Sequence, residues 1–292
     1  PMKQLLKRIY KAFPFKREVF HAVRAVAPLP EPVFRHLHFT GPFTVKVNDH
    51  ATFRIMHHGH MIENELFWKG LKGWEKVSFE LWRRLCPLAN TILDIGANTG
   101  VYALIAQAVN PHAKVIAVEP VQRIHAKLAL NSQMNGGHIK AVLAAVSDHT
   151  GTATLYDQPD HEHVLSVSLD PTWNKDSPWL RPVEVPCTTV MDLLRDYGTG
   201  TAELLKIDVE THEPAVLDGC GALIREHRPT LLIELLNDEV AQRVASHVDG
   251  LGYEFYDVDD VNWPPRRVEV LGRSGHFNFL ICQPQVARAI GL

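Results

Sequence analysis

Cysteine is scarce in this sequence, and its cysteines are not grouped. The 292 residues contain four, scattered without a C-x-x-C pair: Cys86, Cys187, Cys220 and Cys282. A disulfide framework or a zinc site needs cysteines at short, regular spacings. We therefore expect neither, and the cysteine usage favours the reducing environment of the cytoplasm.

Long hydrophobic runs are absent as well. No apolar stretch reaches the roughly 20 residues of a membrane-spanning helix, and no secretory signal with a cleavage site is visible. Hydrophobic residues make up 46% of the chain and charged residues 22%, as in ordinary globular proteins. The length allows one large domain, or one domain with a sizeable extension.

Basic residues are in excess only within the N-terminal 30 residues. That segment holds seven basic residues and one acidic residue, which leaves 23 basic and 32 acidic residues and a formal charge of −9 for the rest of the chain. A body of this charge would repel a phosphate backbone. We therefore expect no nucleic-acid partner.

Apolar residues interleave with these basic residues at roughly helical spacing: Leu5, Leu6, Ile9, Tyr10 and Phe13. A basic amphipathic helix can lie on an anionic membrane surface, which would make the protein peripheral to a membrane. It can equally pack on its own domain, or on a second subunit of a homo-oligomer. The sequence leaves these alternatives open.

The chain is predicted to consist of an N-terminal extension, residues 1–85, and a larger domain, residues 86–292. The extension divides into the basic helix, a proline-rich connector (28–42), a β-hairpin (43–47 and 52–56) and a helix (63–85). We expect the aromatic residues of the last helix, around Trp68 to Trp82, to shape a binding pocket.

The stretch from Thr91 to Gly100 is the most informative part of the chain. Thr91 to Ile95 is a short, mostly apolar run that fits a strand buried on both faces. Glycines follow, and apolar residues then recur at helical spacing as far as Asn110. Strand, glycine turn and helix form the first half of a βαβ unit, in which the backbone can approach a ligand closely.

A second buried run, residues 114–118, ends at Glu119-Pro120. Parallel neighbouring strands would place Glu119 at the same sheet edge as the glycine turn, where an acidic side chain can hold two ribose hydroxyls. The two strands therefore predict a nucleoside-binding crevice.

The glycine spacing bears on which nucleoside this is. A dinucleotide fingerprint reads G-x-G-x-x-G, whereas residues 94–100 read D-x-G-x-N-x-G. An acid at the strand end is poorly suited to a pyrophosphate, because like charges would meet in a partly dry site. It suits the ammonium and sulfonium groups of S-adenosylmethionine (SAM). A structural glycine turn in another α/β protein is the alternative.

The rest of the chain alternates strands and helices. Further strands are predicted at 139–146, 152–156, 202–208 and 230–236, followed by an antiparallel closing pair at 253–257 and 277–281. Five alternating β/α units and a closing hairpin predict an α/β fold with a mostly parallel, Rossmann-like sheet. Residues 157–182 are typical of a lid or binding loop.

Two groups of histidines suggest a metal site at first sight. His57, His58 and His60 lie near a predicted strand end, where successive side chains point apart and no cysteine or carboxylate completes a ligand set. His161-Glu162-His163 lies in a polar loop. We expect no metal at either place.

Taken together, the motifs resemble those of the FkbM family of class I SAM-dependent methyltransferases. The resemblance covers roughly residues 90–283 and rests on Ile92–Gly100, Val118–Pro120, Val146–Asp148, Lys206–Glu210 with Glu213, and Arg228-Pro229 before a strand that carries Glu234. Members of this family are associated with O-methylation of glycans, glycolipids and macrolide-type natural products. The family usually has glycine where this chain has Thr211, a difference that bears on the tightness of that turn.

The resemblance implies a set of cofactor-binding residues. The methionyl end of SAM would be lined by Asp94, Gly96, Ala97, Asn98 and Gly100. Glu119 would hold the ribose hydroxyls, with Pro120 against the adenine. Ser147 and Asp148 would touch the adenine edge, although Asp148 fits a turn-forming role equally well.

An alcohol is a poor nucleophile until its proton leaves, so the predicted reaction calls for a base. Asp208 is the first candidate, and His212 is the second because the pKa of histidine lies near working pH. Glu234, like Glu210 and Glu213, could hold acceptor hydroxyls or pair with Lys206. In a second mechanism, Asp208, Glu210 or Glu234 would bind Mg²⁺ and so lower the pKa of the hydroxyl.

Three functions remain open from the sequence. The first is a SAM-dependent O-methyltransferase that acts on a small-molecule, glycan or glycolipid acceptor. The second is an NAD-type oxidoreductase that uses the same crevice, against which the missing dinucleotide fingerprint counts. The third is a SAM-binding protein without chemistry.

Overall fold

The structure is a computed structural model and describes residues 14–26, 28–158, 167–170 and 176–292. The predicted basic helix around Leu5 to Phe13 and the motif His161-Glu162-His163 lie outside the described residues, as does part of the predicted insertion 157–182.

The described residues contain thirteen strands and eleven α-helices. The strands are β1 (Gly41–Lys46), β2 (Thr52–His57), β3 (Thr91–Ile95), β4 (Lys114–Val118), β5 (Lys140–Val142), β6 (Ala145–Val146), β7 (Gly151–Asp157), β8 (Arg181–Thr188), β9 (Leu204–Ile207), β10 (Thr230–Glu234), β11 (Glu254–Asp257), β12 (Arg266–Val268) and β13 (Asn278–Cys282). The helices are α1 (Lys16–Val26), α2 (Glu31–Phe34), α3 (Met61–Lys69), α4 (Lys76–Leu85), α5 (Val101–Val109), α6 (Gln122–Met134), α7 (Val190–Asp196), α8 (Glu213–Asp218), α9 (Leu223–His227), α10 (Asp238–Val248) and α11 (Pro284–Ile290).

Eight strands form the central sheet in the order β12-β11-β13-β10-β9-β3-β4-β5. Strands β5, β4, β3, β9 and β10 run parallel to one another. Strand β13 returns antiparallel between β10 and β11, since no crossover helix separates it from β11. The predicted α/β class and Rossmann-like, mostly parallel sheet with an antiparallel closing pair are confirmed. Edge strand β12 was not predicted.

Both faces of this sheet are covered, which explains why its parallel strands are mostly apolar on both faces. Alternate residues of β3 point to opposite faces, so Ile92 joins one hydrophobic cluster while Leu93 and Ile95 join the other. The first cluster includes residues of α4 and α5, and the second includes residues of α7 to α10. The carboxyl ends of the parallel strands are left open at one edge, where ligands bind in folds of this type.

A separate three-stranded sheet, in the order β6-β8-β7, lies beside the central one. The predicted strand 139–146 is wrong as a single element, because the chain leaves the central sheet after β5 and pairs β6 with β8 instead. The predicted strand 152–156 is confirmed as part of β7, which pairs antiparallel with β8.

The extension contains the predicted β-hairpin, with Val45 opposite Phe53. The predicted single helix over 63–85 is wrong, since α3 and α4 are separate. Helix α3 ends at Gly70, whose φ of +63° lies outside the helical region, and a short 3₁₀ turn, Gly70–Lys72, follows. The connector over residues 28–42 also holds the short helix α2.

The extension packs onto the sheet rather than standing apart from it. Phe53 of β2, Phe67 of α3 and Trp82 of α4 belong to the same hydrophobic cluster as Ile92 of β3. A domain boundary at residues 85/86 stays a prediction. Across the described ranges, no helix has both the length and the apolar character needed to cross a membrane.

Candidate active site

A cavity of about 520 Å³ opens at the carboxyl edge of the central sheet. It extends along the ends of β4, β3, β9 and β10, and its lining includes Glu119, Asp208 and Glu234. The extension supplies another wall, through the start of α3 and through Trp74, Glu75 and Phe79 near α4. Its size is that of a site for a small ligand.

The turn after β3 forms the floor of the cavity through Gly96, Ala97 and Asn98. Gly96 has a φ of +78°, and a Cβ added there would lie 1.8 Å from the carbonyl oxygen of Asp208. Only glycine therefore allows the ends of β3 and β9 to approach this closely. Gly100, with a φ of +90°, precedes α5 and packs against Leu128 rather than lining the cavity.

Asp94 lies beneath this turn and is 1% exposed. Its Oδ2 accepts a hydrogen bond of 2.9 Å from the backbone N–H of Ala103, so the carboxylate satisfies a free donor of the first turn of α5. Burial raises the pKa of Asp94 to about 7. Asp94 does not line the cavity in this structure, and its direct contact with a cofactor stays a prediction.

Glu119 occupies the position that the sequence predicted, at the end of β4. Its two carboxylate oxygens accept backbone N–H groups, Oε2 from Asn98 at 3.0 Å and Oε1 from Val121 at 2.9 Å. These bonds fix the side chain between the glycine turn and α6, while it still lines the cavity. Burial raises the pKa of Glu119 to about 7.

Asp208 lines the cavity just beyond the end of β9, and a buried lysine lies beside it. The Nζ of Lys206 is 3.0 Å from Oδ2 of Asp208, and the Lys206 side chain is 1% exposed. Burial by itself would lower the pKa of Lys206, but the carboxylates of Asp208, Glu75 and Glu234 outweigh it and raise the pKa. Lys206 is therefore charged at neutral pH.

Glu234 and Glu213 lie close to Asp208 and respond to its charge. Burial, with the neighbouring Asp208 carboxylate as the next cause, raises the pKa of Glu234 to about 9. Burial likewise raises the pKa of Glu213 to about 8. Glu234 lines the cavity, whereas Glu213 lies under the turn and accepts a bond of 3.2 Å from the N–H of Val209. Both carboxyls are protonated in a large fraction of molecules at neutral pH.

His212 lines the cavity, and its ring forms a hydrogen bond with Ser147. The Oγ of Ser147 is 2.8 Å from Nε2 of His212, and Ser147 itself is buried outside the cavity lining. Burial lowers the pKa of His212, so its ring is neutral at neutral pH. Asp148 is exposed and pairs with His149 at 2.7 Å. Contact of Ser147 or Asp148 with an adenine stays a prediction.

The turn after β9 contains no glycine, yet two of its residues have positive φ values of the kind that glycine usually adopts. Glu210 has a φ of +53° and Thr211 a φ of +78°, a strained value for a β-branched residue. The Oγ1 of Thr211 donates a bond of 3.0 Å to Oδ2 of Asp170, and the Oγ of Ser168 donates one of 2.5 Å to the carbonyl oxygen of Glu210. These bonds hold the segment 167–170 at the cavity and stabilise the turn.

Two residues of this site, Glu75 and Tyr102, were not singled out by sequence reasoning, whereas Trp74 and Phe79 belong to the aromatic stretch that was expected to shape a pocket. Glu75 belongs to the extension, and Tyr102 lies in the first turn of α5. The hydroxyl of Tyr102 donates a bond of 2.5 Å to Oε2 of Glu75. The aromatic content of the extension was the only signal that pointed to this wall.

Metal binding is not supported by the arrangement of side chains. Within the described ranges, no group of three or more His, Cys, Asp or Glu residues is placed to hold a metal ion. The suggested Mg²⁺ route is therefore not supported. His57 is fully buried beside Asn64, and burial lowers its pKa to about 3.

Comparison with known proteins adds independent information. Residues 94–258 match the family model described as "Methyltransferase FkbM domain". The chain is 28% identical over 155 residues to the methyltransferase sdnD of Sordaria araneosa. It is 26% identical over 153 residues to the 31-O-demethyl-FK506 methyltransferase FkbM of Streptomyces tacrolimicus. Each alignment covers 44% of this chain, which spans 59% of the length of each curated relative.

Solved structures similar to this chain include two methyltransferases. A methyltransferase FkbM from Methylobacillus flagellatus KT has a TM-score of 0.42 and 14% identity, over 66% of this chain and 43% of that one. A SAM-dependent methyltransferase from Agrobacterium tumefaciens has a TM-score of 0.42 and 12% identity, over 84% of this chain and 70% of that one.

Proposed function

We propose, from the premise that the chain belongs to the FkbM methyltransferase domain family, that this protein transfers a methyl group from SAM to a hydroxyl oxygen. The acceptor we propose is a sugar, a glycolipid or a glycosylated natural product. One observation carries the proposal: Glu119, fixed by two backbone N–H groups, and Asp208, paired with Lys206, line the same cavity at the carboxyl edge of the sheet.

The residues of the cavity fit this cofactor. Each oxygen of Glu119 accepts one N–H group and retains capacity for a further bond, as binding of the two ribose hydroxyls requires. Ala97 and Pro120 provide apolar surface on either side of it. No Lys or Arg is found among the described residues that line the cavity. An acidic cavity of this kind favours a ligand that carries positive charge.

Once bound, the cofactor would supply a methyl group that its sulfonium already activates. The contribution of the protein is then to align the acceptor hydroxyl and to remove its proton. We assign proton removal to Asp208, because it lines the cavity and Lys206 holds its Oδ2 in place. His212, whose ring is neutral at neutral pH, is the second candidate for the base.

Glu234 takes a different part in this proposal. With a pKa of about 9, its carboxyl is protonated at neutral pH. A protonated carboxyl donates a hydrogen bond and is not a base. We therefore assign Glu234 to binding an oxygen of the acceptor beside Asp208.

A hydroxyl-bearing acceptor is supported by two observations. The relative from S. tacrolimicus is named as a 31-O-demethyl-FK506 methyltransferase, so its name describes methylation at oxygen. In this chain, Trp74 lies in the lining with Glu210 and Glu234, and such side chains can pack on a sugar ring and bind its hydroxyls.

Contact of the basic N-terminus with a membrane or a second subunit stays a prediction, as does a cytoplasmic location.

The test is ligand binding followed by turnover. We expect SAM and S-adenosylhomocysteine (SAH) to raise the melting temperature of the protein. Glu119→Gln should abolish the shift, because one acceptor oxygen is replaced by a donor. Glu269→Gln, at an exposed position, is the control and should leave the shift unchanged. SAH should form with at least one member of a panel of sugars, glycolipids and macrolides.

Each competing function has its own outcome in these assays. Binding of NADH, seen by nicotinamide fluorescence, without binding of SAM would favour an oxidoreductase. Binding of SAM without SAH formation across the panel would favour a protein that binds the cofactor and does no chemistry. A protein that binds neither SAM nor SAH would overturn the proposal.

A further inference from the structure

Glu75 stands out because it reaches the cavity from outside the segment that matches the family model. That segment covers residues 94–258, whereas Glu75 directly precedes α4 in the extension. It has a left-handed backbone conformation, with φ of 40° and ψ of 48°. Such a conformation is uncommon for a residue other than glycine or asparagine, and is often found at functional sites.

The carboxylate of Glu75 is held by Tyr102. The Tyr102 hydroxyl donates to Oε2 at 2.5 Å, and its ring packs edge-to-face against Phe79 and Trp82, at centroid distances of 5.1 and 5.4 Å. The indole N–H of Trp82 donates to the carbonyl oxygen of Tyr102 at 2.9 Å. These contacts of Tyr102 join α5 to α4 at the point where the Glu75 carboxylate lines the cavity.

A second set of contacts fixes the start of α4 from the other side. The backbone N–H and the hydroxyl of Ser78 both donate to Asp260, at 2.8 and 3.1 Å. The Nζ of Lys76 donates to the carbonyl oxygen of Val261 at 3.1 Å. Glu75 therefore lies on a rigid support, as a residue that recognises a ligand requires.

The charges around Glu75 leave a place for a cation. Lys206 lies under the ring of Tyr102, with Nζ 5.2 Å from the ring centroid, and its closest carboxylate is Asp208 at 3.0 Å. Asp208 and Glu75 both act on the charge of this lysine, whereas Glu234, with a pKa of about 9, is protonated at neutral pH. Burial raises the pKa of Glu75, and a positively charged ligand group beside it would offset the cost of holding its carboxylate charged.

The order of the strands indicates which part of the cofactor lies at this end. Glu119 ends β4, on one side of β3, whereas Lys206 belongs to β9 on the other side. With the ribose at Glu119, the amino-acid part of the cofactor extends past the turn after β3 toward Tyr102 and Glu75. Its α-ammonium group is the cation that this end of the cavity can bind.

We propose that Glu75, positioned by Tyr102, binds the α-ammonium group of the cofactor, so that the extension completes the cofactor site. This inference rests on the proposed function. It gives Glu75 the contact with the ammonium group that the sequence had led us to expect of Asp94, whose carboxylate lies instead under α5.

Two ligands distinguish binding of the α-ammonium group by Glu75 from a general structural role of Glu75. SAH carries the α-ammonium group, whereas 5′-methylthioadenosine has the same adenosine and thioether but lacks the amino-acid part. We expect Glu75→Gln to weaken SAH binding roughly 10- to 100-fold, the loss typical of a hydrogen bond to a charged group. Its affinity for methylthioadenosine, measured by the same titration calorimetry, should stay within a factor of about two of the wild type.

Two further variants complete the experiment. Glu80→Gln removes a carboxylate from α4 that pairs with Arg83 and Arg84 outside the cavity, and it should bind both ligands as the wild type does. Tyr102→Phe should weaken SAH binding in the same direction as Glu75→Gln but by less, because it frees the carboxylate without removing it.

The outcomes distinguish this inference from the proposed function. Equal losses for SAH and methylthioadenosine in Glu75→Gln would show a merely structural role and overturn the inference. Unchanged SAH affinity with a raised KM for the acceptor would overturn it in favour of an acceptor contact. If the wild-type protein binds neither ligand, the proposed function fails and this inference fails with it.

Discussion

Gly96 and Asp208 are in such close contact that a single added methyl group on Gly96 would overlap the carbonyl oxygen of Asp208, at 1.8 Å. The two residues end neighbouring parallel strands, and the N–H of Asp208 donates to the carbonyl oxygen of Ile95 at 3.0 Å. The proposed base is therefore positioned directly by the glycine turn. This contact makes the first of four predictions.

Gly96→Ala should destabilise the fold and damage the site together. The Cβ meets backbone rather than a flexible side chain, and the φ of +78° adds strain of its own. Overpacking and left-handed strain together should cost at least about 2 kcal/mol in the free energy of unfolding. Urea denaturation measures this, and SAH titration should show lost binding.

Gly200→Ala is the matched control for that experiment. Gly200 has a φ of +72°, with no atom within 4 Å of an added Cβ, so it carries the conformational strain without the overlap. We expect a cost of about 1 kcal/mol and normal SAH binding. Equal costs at the two positions would show that contact with Asp208 is unimportant.

Lys206→Met should destabilise the protein and slow methyl transfer. The substitution leaves Asp208 beside Glu75 and Glu234 without its cation. Breaking a buried pair costs about 3–5 kcal/mol, and we expect roughly 2–4 kcal/mol because Asp208 faces the cavity. The rate of methyl transfer should fall, because no charged group then holds Oδ2 of Asp208 in place.

The control is Lys114→Met, at the exposed start of β4, where Nζ contacts the carbonyl oxygen of Gly198 at 3.3 Å. It should change the free energy of unfolding by less than about 1 kcal/mol. An unchanged rate of methyl transfer in Lys206→Met would count against Asp208 as a base positioned by Lys206.

Glu213→Gln should make stability less sensitive to pH. Burial raises the pKa of Glu213 from 4.5 to about 8, so the folded state binds more protons than the unfolded state between these values. The free energy of unfolding then falls as pH rises through this range, and below it the carboxyl carries no penalty. The glutamine variant, which never ionises, should gain roughly 2–4 kcal/mol on the wild type between pH 5 and pH 9.

Urea denaturation at several pH values measures this difference. Glu226→Gln, at an exposed position of α9, should follow the wild type throughout. A constant gap between Glu213→Gln and the wild type from pH 5 to pH 9 would show that Glu213 is ionised in the folded protein over the whole range.

Asp208→Asn should slow methyl transfer far more than it weakens cofactor binding. Removal of a general base typically costs 100- to 10,000-fold in rate, and we expect a loss of roughly this size in kcat. His212→Gln should cost less, because in this proposal His212 lies beside the reacting group and is not the base. A larger loss of kcat for His212→Gln than for Asp208→Asn would exchange the two roles.

The sequence predicts the sheet well because its strands are buried on both faces and end in recognisable turns. Glu119 and Asp208 could be placed at the cavity because each follows a strand of the parallel set, and parallel strands bring their carboxyl ends to one edge. This reasoning needs only the strand order and the direction of each strand.

Other features depend on packing that residue types do not reveal. Asp94 lies opposite Lys206 in the register of β3 and β9, which directs its side chain to the face under α5 and not to the open edge. The strand predicted over 139–146 divides because β8, distant in sequence, pairs with its second half. Glu75 carries no motif, and its role depends on a helix boundary at Gly70 and on contact with Tyr102.

One wall of the cavity comes from the extension, through Trp74, Glu75 and Phe79. This has a consequence for truncated forms of the protein. A fragment that begins at residue 86 would keep the strands of the central sheet yet remove this wall, which would leave Tyr102 and Lys206 more exposed to solvent. Replacing the extension of this chain would then alter part of the proposed cofactor site.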